Sequence, residues 1–386
     1  MTTAAEVQAM QLELSPEQQQ ERLRFRAFVR EHIAPHAGAW DRQALMPMTI
    51  VEQLRRRGYL GAPLPQEVGG GGMDAITYGL LTEEIGAGCS SVRSLLTVHD
   101  MVTIATRRWG TPFLKQELVP RMARAELLAA FALSEPNIGS DAAGVETVAR
   151  QDGDHWVLDG AKKWTTFGQI ADVYLVFART GEKVSAFLVP ADTPGCTRRP
   201  LTGMVGTRAS MLAEIELKGC RISADYQVGK VGAGFPYVIT TALDHGRYSV
   251  AWGSVGISQA CLDACLDYTA QRRQFGRELR EHQLVQRMLT EMIVNTRAAR
   301  LLCYRAGYLR RSGDPGTVPE TMIAKYFASR QAVRAANDAV QLHGANGLSE
   351  SYPLERYLRD AKVTEIIEGS TQIQQFSIPG FPLAEL

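Results

Sequence analysis

The sequence predicts an α+β protein of three successive parts: an N-terminal α-helical domain over residues 1–126, a middle β domain over 127–234 and a C-terminal α-helical bundle over 235–386. Apolar residues recur at helical spacing from about Ser15 to Glu126 and again from about Pro236 onward, while short apolar and alternating runs fill the stretch between. At 386 residues the chain can form two or three domains with a sizeable core.

The elements follow in order. Ser15-Pro16-Glu17-Gln18 reads as an N-cap, a proline at the first helical position and a polar residue at the capping-box position. Leu23, Phe25, Phe28 and Val29 then form a helical stripe expected to face the core. Gly69 to Gly72 breaks the helical pattern, and a further helix runs from about Asp74 to Gly86. In the middle region, Trp156 to Leu158 and Ala161 to Thr166 flank Asp159-Gly160, which predicts a hairpin turning there. Val173 to Ala178, Val184 to Val189 and Ala213 to Leu217 read as strands. Helices return over Leu284–Leu309 and Pro319–Leu342, the latter stopped by Gly344.

Lys+Arg total 42 and Asp+Glu 41, a balance that points to no nucleic acid and no anionic membrane as partner. No apolar run is long enough to span a bilayer. Residues 1–20 are acidic and Gln-rich, unlike a signal or transit peptide, so a cytoplasmic protein is expected. Six cysteines form no metal-ligand pattern, no metal is expected, and reduced, buried thiols are the simplest reading.

Five segments carry chemistry-bearing residues: Phe131 to Asp141 (FALSEPNIGSD), Lys163-Trp164-Thr165-Thr166, Arg272 to Gly276 (RRQFG), Gln341 to Gly347 (QLHGANG), and Arg359-Asp360 followed by Ile367 to Gln374 (IEGSTQIQ). Taken alone they read as a loop, a core tryptophan, a solvated helix end, a helix stop and a turn. In this order and context they resemble the acyl-CoA dehydrogenase family over nearly the whole chain. The resemblance implies an α domain, a β domain and a four-helix C-terminal domain, assembled as a homotetramer (or dimer), with FAD bound between domains and across a subunit interface. It implies that Phe131, Leu133, Ser134, Gly139 and Ser140 line the flavin and its pyrophosphate, with Ser140 also near the substrate. Trp164 and Thr166 would face the ring. Arg272, Gln274, Phe275, Gln341, Leu342, Gly344 and Ala345 would reach a neighbouring subunit's FAD, and Ser370 and Gln372 would complete the site. Ala345 departs from the family's glycine, and Ser370 from its threonine.

The resemblance also places the catalytic base at Glu368. Burial should raise its pKa toward neutrality, and the resemblance implies that the Glu368 backbone N–H and a ribityl hydroxyl of FAD stabilise the developing enolate as the α-proton leaves. Some relatives carry the base on a C-terminal helix instead, where this chain has Gly246. Arg247, Asp244 and Gly369 are expected at the substrate, Asp244 against its pantetheine arm, whereas His245 and His343 read as structural. The stretch Ser91 to Val98 resembles the acyl-pocket helix of glutaryl-CoA dehydrogenases and of enzymes acting on acyl carrier protein in polyketide extender-unit synthesis. Arg93, with Ser94 and Thr97, is the candidate ligand for a distal carboxylate; the alternative is an internal ion pair of Arg93 with Glu83 or Glu84. Gly86 stands where the glutaryl enzymes have Glu.

The implied function is FAD-dependent α,β-dehydrogenation of a short, polar or carboxylated acyl thioester on CoA or acyl carrier protein, with electron-transferring flavoprotein or another acceptor as partner. A flavin oxidase or monooxygenase on the same scaffold, and a non-catalytic binding protein, are the rivals.

Overall fold

The computed structural model describes residues 13–381; residues 1–12, most of the acidic, Gln-rich stretch, and residues 382–386 lie outside them. The helical N-terminal part comprises α1 (Pro16–His32), α2 (Ala34–Gln43), α3 (Met48–Arg56), α4 (Ala75–Gly88), α5 (Ser90–Trp109) and α6 (Val119–Ala123). The middle part holds β1 (Ala129–Ala132), β2 (Val148–Asp152), β3 (His155–Thr165), β4 (Val173–Thr180), β5 (Lys183–Pro190), β6 (Cys196–Pro200), β7 (Ala213–Ser223) and β8 (Gln227–Val228). Then come α7 (Thr240–Gln271), a small hairpin of β9 (Arg273–Gln274) and β10 (Arg277–Glu278), α8 (Gln283–Ser312), α9 (Thr317–His343), α10 (Leu354–Ile366) and α11 (Thr371–Ser377). Strands β1 to β8 form one sheet in the order β6-β7-β3-β2-β4-β5-β8, with β1 parallel to β4.

Local chemistry explains the boundaries. Ser15 and Gln18 form the reciprocal capping box of α1, and Asp74 caps α4 through the Ile76 and Thr77 amides. Two expectations fail. Leu23 is 63% exposed, because α1 turns only its Phe25, Phe28 and Val29 side to the core. Asp159-Gly160 does not turn the chain: β3 runs straight through it, and the turn is at Gly153 (φ 60°). Gly160 is a bulge against β7, at φ 151°, where a Cβ would lie 2.5 Å from Thr147 Oγ1. Glycine serves a bulge as well as a turn, and here the longer-range pairing decides.

The helices close on one another through small residues. Gly79 of α4 lies under the Trp252 indole, and Gly256 of α7 abuts the Glu83 carbonyl. α4 is buried nearly all round, including Glu83 and Glu84, which pair with Arg22, Arg26 and Arg300. The Arg359-Asp360 pair ties three regions together. Arg359 binds Asp41 (2.7 Å) and the Val205 carbonyl (3.0 Å), and Asp360 accepts from the Thr207 amide (2.6 Å). This linkage fixes α10, and hence the segment leading to Glu368, against the β region.

Candidate active site

Glu368 follows α10 in a left-handed conformation (φ 56°), and so does Gly369 (φ 86°). Such a backbone is costly for glutamate and persists only where its surroundings impose it. Here the carbonyls are clamped. Arg247 Nε (3.1 Å) and Gln374 Nε2 (3.2 Å) donate to the Glu368 oxygen, and Gln374 Nε2 (3.0 Å) and Lys325 Nζ (2.7 Å) donate to the Gly369 oxygen. Ser370 caps α11 by accepting from the Ile373 amide. The carboxylate points inward, and its Oε2 is buried with no hydrogen-bond partner. Burial raises its pKa to about 7, against the opposing pull of Arg247, Arg93 and Lys325.

Gly246 makes room for that oxygen: a Cβ there would lie 2.5 Å from Glu368 Oε2 and 2.7 Å from Met101 Sδ. The same faces of α5 and α7 meet at two more levels. Thr97 Oγ1 bonds Ser249 Oγ at 2.7 Å, and the Arg93 side chain crosses Gly253, whose added Cβ would sit 3.0 Å from Arg93 Cδ and Nε. Gly246 and Gly253 are two turns apart, roughly 10 Å along α7. Arg93 is 1% exposed. It donates through Nη1 to Thr97 Oγ1 (3.0 Å) and leaves Nη2 buried and unpaired.

No carboxylate among the described residues lies within ion-pair distance of Arg93. Glu83 and Glu84 are taken by Arg22, Arg26 and Arg300. Ser94 does not join Arg93: its hydroxyl bonds Ser210 (2.9 Å) and the Ser91 carbonyl (2.7 Å). Gly86 faces Gly253, where a Cβ would fall 2.8 Å from its Cα, so a glutamate at that position would drive α4 and α7 apart. Asp244 is ion-paired with Arg310 (2.8 Å). His245 is buried against the Tyr78 hydroxyl (3.0 Å), and burial lowers its pKa to about 3.

On the β side, Leu133 is buried, while Ser134 and Phe131 are partly open, Phe131 lying edge-on to Phe177. Gly139 and Ser140 sit on an exposed loop with open space at the Gly139 Cβ position. A buried ion pair holds this loop to β3: Lys162 Nζ binds Glu135 (2.6 Å) and the Leu133 carbonyl (3.2 Å). At the end of β3, Trp164 adopts φ 64° and is 47% exposed, and Thr166 is half-buried. The next residue, Phe167, donates its amide to the Ser210 carbonyl (2.8 Å), which links this strand end to Ser94 on α5.

The remaining candidates collect elsewhere. Arg272 ends α7; Gln274 and Phe275 lie on the exposed β9–β10 hairpin, with Phe275 95% exposed. Gln341, Gly344 and Ala345 are exposed nearby, where His343 stacks on Tyr268 of α7. Leu342 instead lies in the bundle core at 6% exposure. Twenty-six residues of α7, about 39 Å, separate Gly246 from Arg272. Within one chain these residues and Glu368 are not brought together.

Family models for the acyl-CoA dehydrogenase N-terminal, middle and C-terminal domains match residues 15–126, 130–220 and 232–378. The chain belongs to the acyl-CoA dehydrogenase family. A probable acyl-CoA dehydrogenase, YngJ of Bacillus subtilis, is 39% identical over 376 residues, covering 96% of this chain and 98% of its own. Among solved structures, a glutaryl-coenzyme A dehydrogenase in complex with glutaryl-CoA matches with a TM-score of 0.92 and 34% identity over 96% of both chains. FkbI, for biosynthesis of the methoxymalonyl extender unit of a polyketide, matches with a TM-score of 0.86 and 32% identity, over 95% of this chain and 100% of its own.

This acyl-CoA dehydrogenase family member is an oxidoreductase of an FAD-dependent family. Its residues fit the cofactor: an exposed indole, a half-buried hydroxyl at Thr166 and an open Gly139-Ser140 loop stand on the β side. On the helical side, the Glu368 Oε2 is unsatisfied.

Motif reading missed Lys325, Gln374, Ser249, Tyr78 and Asp100. Asp100 is wholly buried, accepts from the Gly61 amide (2.8 Å), and burial raises its pKa to about 8. Lys325 carried a usable signal: it interrupts the core stripe Thr321, Ala324, Ala328, Ala332 of α9, and Lys is rarely fully buried without a role.

Proposed function

We propose that this acyl-CoA dehydrogenase family member removes the α-proton of a short, polar or carboxylated acyl thioester with Glu368, and that Arg93 holds the far end of the acyl group. One observation carries the reading. Two buried, unpaired polar atoms, Glu368 Oε2 and Arg93 Nη2, belong to side chains that pack on Gly246 and Gly253 of α7, glycines on one face of that helix roughly two turns apart. A buried guanidinium with no carboxylate at ion-pair distance among the described residues suits an anionic or strongly hydrogen-bonding partner.

FAD, held by the Phe131–Ser140 segment and the Trp164–Thr166 strand end, would supply the hydride acceptor. Glu368, with its pKa near neutrality, is matched to proton abstraction at pH 7. The Glu368 and Gly369 N–H groups have no acceptor among the described residues, which leaves them open to bind the thioester carbonyl as negative charge develops on it. Arg247 and Gln374 hold the turn, and the packed α4–α5–α7 core keeps water from the carboxylate.

The open flavin-facing side and the distant Arg272–Phe275 and Gln341–Ala345 cluster support a second chain completing each cofactor site, in a homotetramer or dimer. Electron-transferring flavoprotein is the proposed acceptor. A thioester on acyl carrier protein is the second reading, favoured by the likeness to FkbI.

The test is anaerobic mixing with butyryl-, isobutyryl- and glutaryl-CoA while the oxidised flavin band is followed. Glutaryl-CoA should bleach it most effectively. Arg93→Ala should cost glutaryl-CoA about 10²-fold or more in reduction efficiency and butyryl-CoA far less. Equal losses on both would remove Arg93 from substrate recognition. Bound flavin that no CoA ester bleaches would assign the substrate to acyl carrier protein.

A further inference from the structure

We propose that Lys325 is a positioning residue for Glu368: it grips the Gly369 carbonyl, fixes the left-handed turn that aims the carboxylate, and sets a buried ammonium facing it. The proposal rests on the reading of Glu368 as the base.

Lys325 is 0% exposed. Its Nζ donates to the Gly369 oxygen at 2.7 Å, and no carboxylate among the described residues lies within ion-pair distance. An ammonium has three donors and is expensive to bury with a single neutral acceptor, so packing alone is a poor reason for it. Leucine or methionine would fill the α9 core stripe at lower cost.

The turn it holds is the part of the chain that most needs holding. Glu368 and Gly369 are consecutive left-handed residues, and their carbonyls are taken on one side by Arg247 and Gln374 and on the other by Gln374 and Lys325. Across a trans peptide the N–H points opposite to the C=O. Pinning the Glu368 carbonyl therefore directs the Gly369 N–H away from Arg247. Pinning the Gly369 carbonyl fixes the next peptide plane, and together they set the direction of the Glu368 side chain.

Electrostatics point the same way. The charged groups facing Glu368 are Arg247 from α7, Arg93 from α5 and Lys325 from α9; those facing Lys325 are Glu368, Arg247 and Glu365. Burial raises the acid and lowers the Lys325 ammonium to about 8, while each charge favours the other's ionised form. Removing the lysine charge leaves burial less opposed, so Glu368 should hold its proton to higher pH.

The experiment is the pH dependence of flavin reduction, measured anaerobically on the FAD-loaded enzyme with the acyl-CoA that best reduces the wild type. Lys325→Met, which loses donor and charge, should keep FAD, lower the limiting rate about 10- to 100-fold, and raise the midpoint of the rate–pH curve by about one unit. Lys325→Gln, which keeps a donor but not the charge, should show the raised midpoint with a smaller loss of rate. Lys325→Arg should return the midpoint to near wild type.

If Lys325→Met does not fold, the Gln and Arg variants still decide by their midpoints. Wild-type rates and midpoints in Lys325→Met and Lys325→Gln, alongside an inactive Glu368→Gln, would overturn this proposal alone. A Glu368→Gln enzyme that reduces its flavin normally would overturn the reading beneath it.

Discussion

At one end of α7, Gly246 lies against a carboxylate buried without a partner; at the other, Arg272, Gln274 and Phe275 stand in solvent, Phe275 at 95% exposure. Both ends hold residues that family resemblance assigns to one flavin site, yet about 39 Å of helix lies between them. The first end is finished within one chain. Its strained turn is clamped by four hydrogen bonds and its acid is tuned by burial. The second end presents Phe275 to solvent at the tip of a hairpin, its ring edge-on to His282 of the same chain. A protein pays for exposed phenylalanine only weakly, but a hairpin that presents one at its tip makes sense when another chain receives it. The difference teaches that chemistry and cofactor retention are separable here, and substitutions at the two ends should fail in different ways.

Gly246→Ala is the sharpest probe of the first end. The added methyl meets Glu368 Oε2 and Met101 Sδ, both ends of flexible side chains, so the fold should survive while the carboxylate is displaced. Flavin reduction should fall about 10²-fold, with FAD content and thermal midpoint near wild type. Unchanged reduction kinetics would mean that the carboxylate works from a different position.

Phe275→Ala probes the second end with a smaller expected effect. The unfolding free energy of the isolated chain should change by less than about 0.5 kcal/mol, because the ring makes little contact within it. The FAD dissociation constant should nevertheless rise about tenfold, as for loss of one aromatic contact to a cofactor. Unaltered FAD affinity would detach the hairpin from the cofactor and remove the main support for a shared site.

Much of this architecture was legible in local sequence. The capping box at Ser15 and the Gly344 stop each depend on residues within a few positions, and the structure keeps both. The acyl-CoA dehydrogenase family and its order of helical, sheet and helical parts were legible from five short motifs.

What sequence did not reveal depends on partners far along the chain. Gly160 looked like a turn until pairing with β7 made it a bulge. Leu23 fitted the helical period but lies on the open side of α1. Whether Arg93 is neutralised internally depended on Arg22, Arg26 and Arg300 occupying Glu83 and Glu84. Lys325 gained its significance only from a carbonyl 44 residues away.

The measurement that most directly tests the central claim is flavin reduction by Glu368→Gln across pH 5.5 to 9, under anaerobic single-turnover conditions, beside the wild type. The wild-type rate should climb as pH rises through about 7, where the buried carboxylate loses its proton and becomes able to accept the α-proton. The variant should bind FAD and substrate, reduce its flavin about 10³-fold or more slowly, and show no such climb. A variant that reduces its flavin at the wild-type rate, with the same rise near pH 7, would contradict Glu368 as the base.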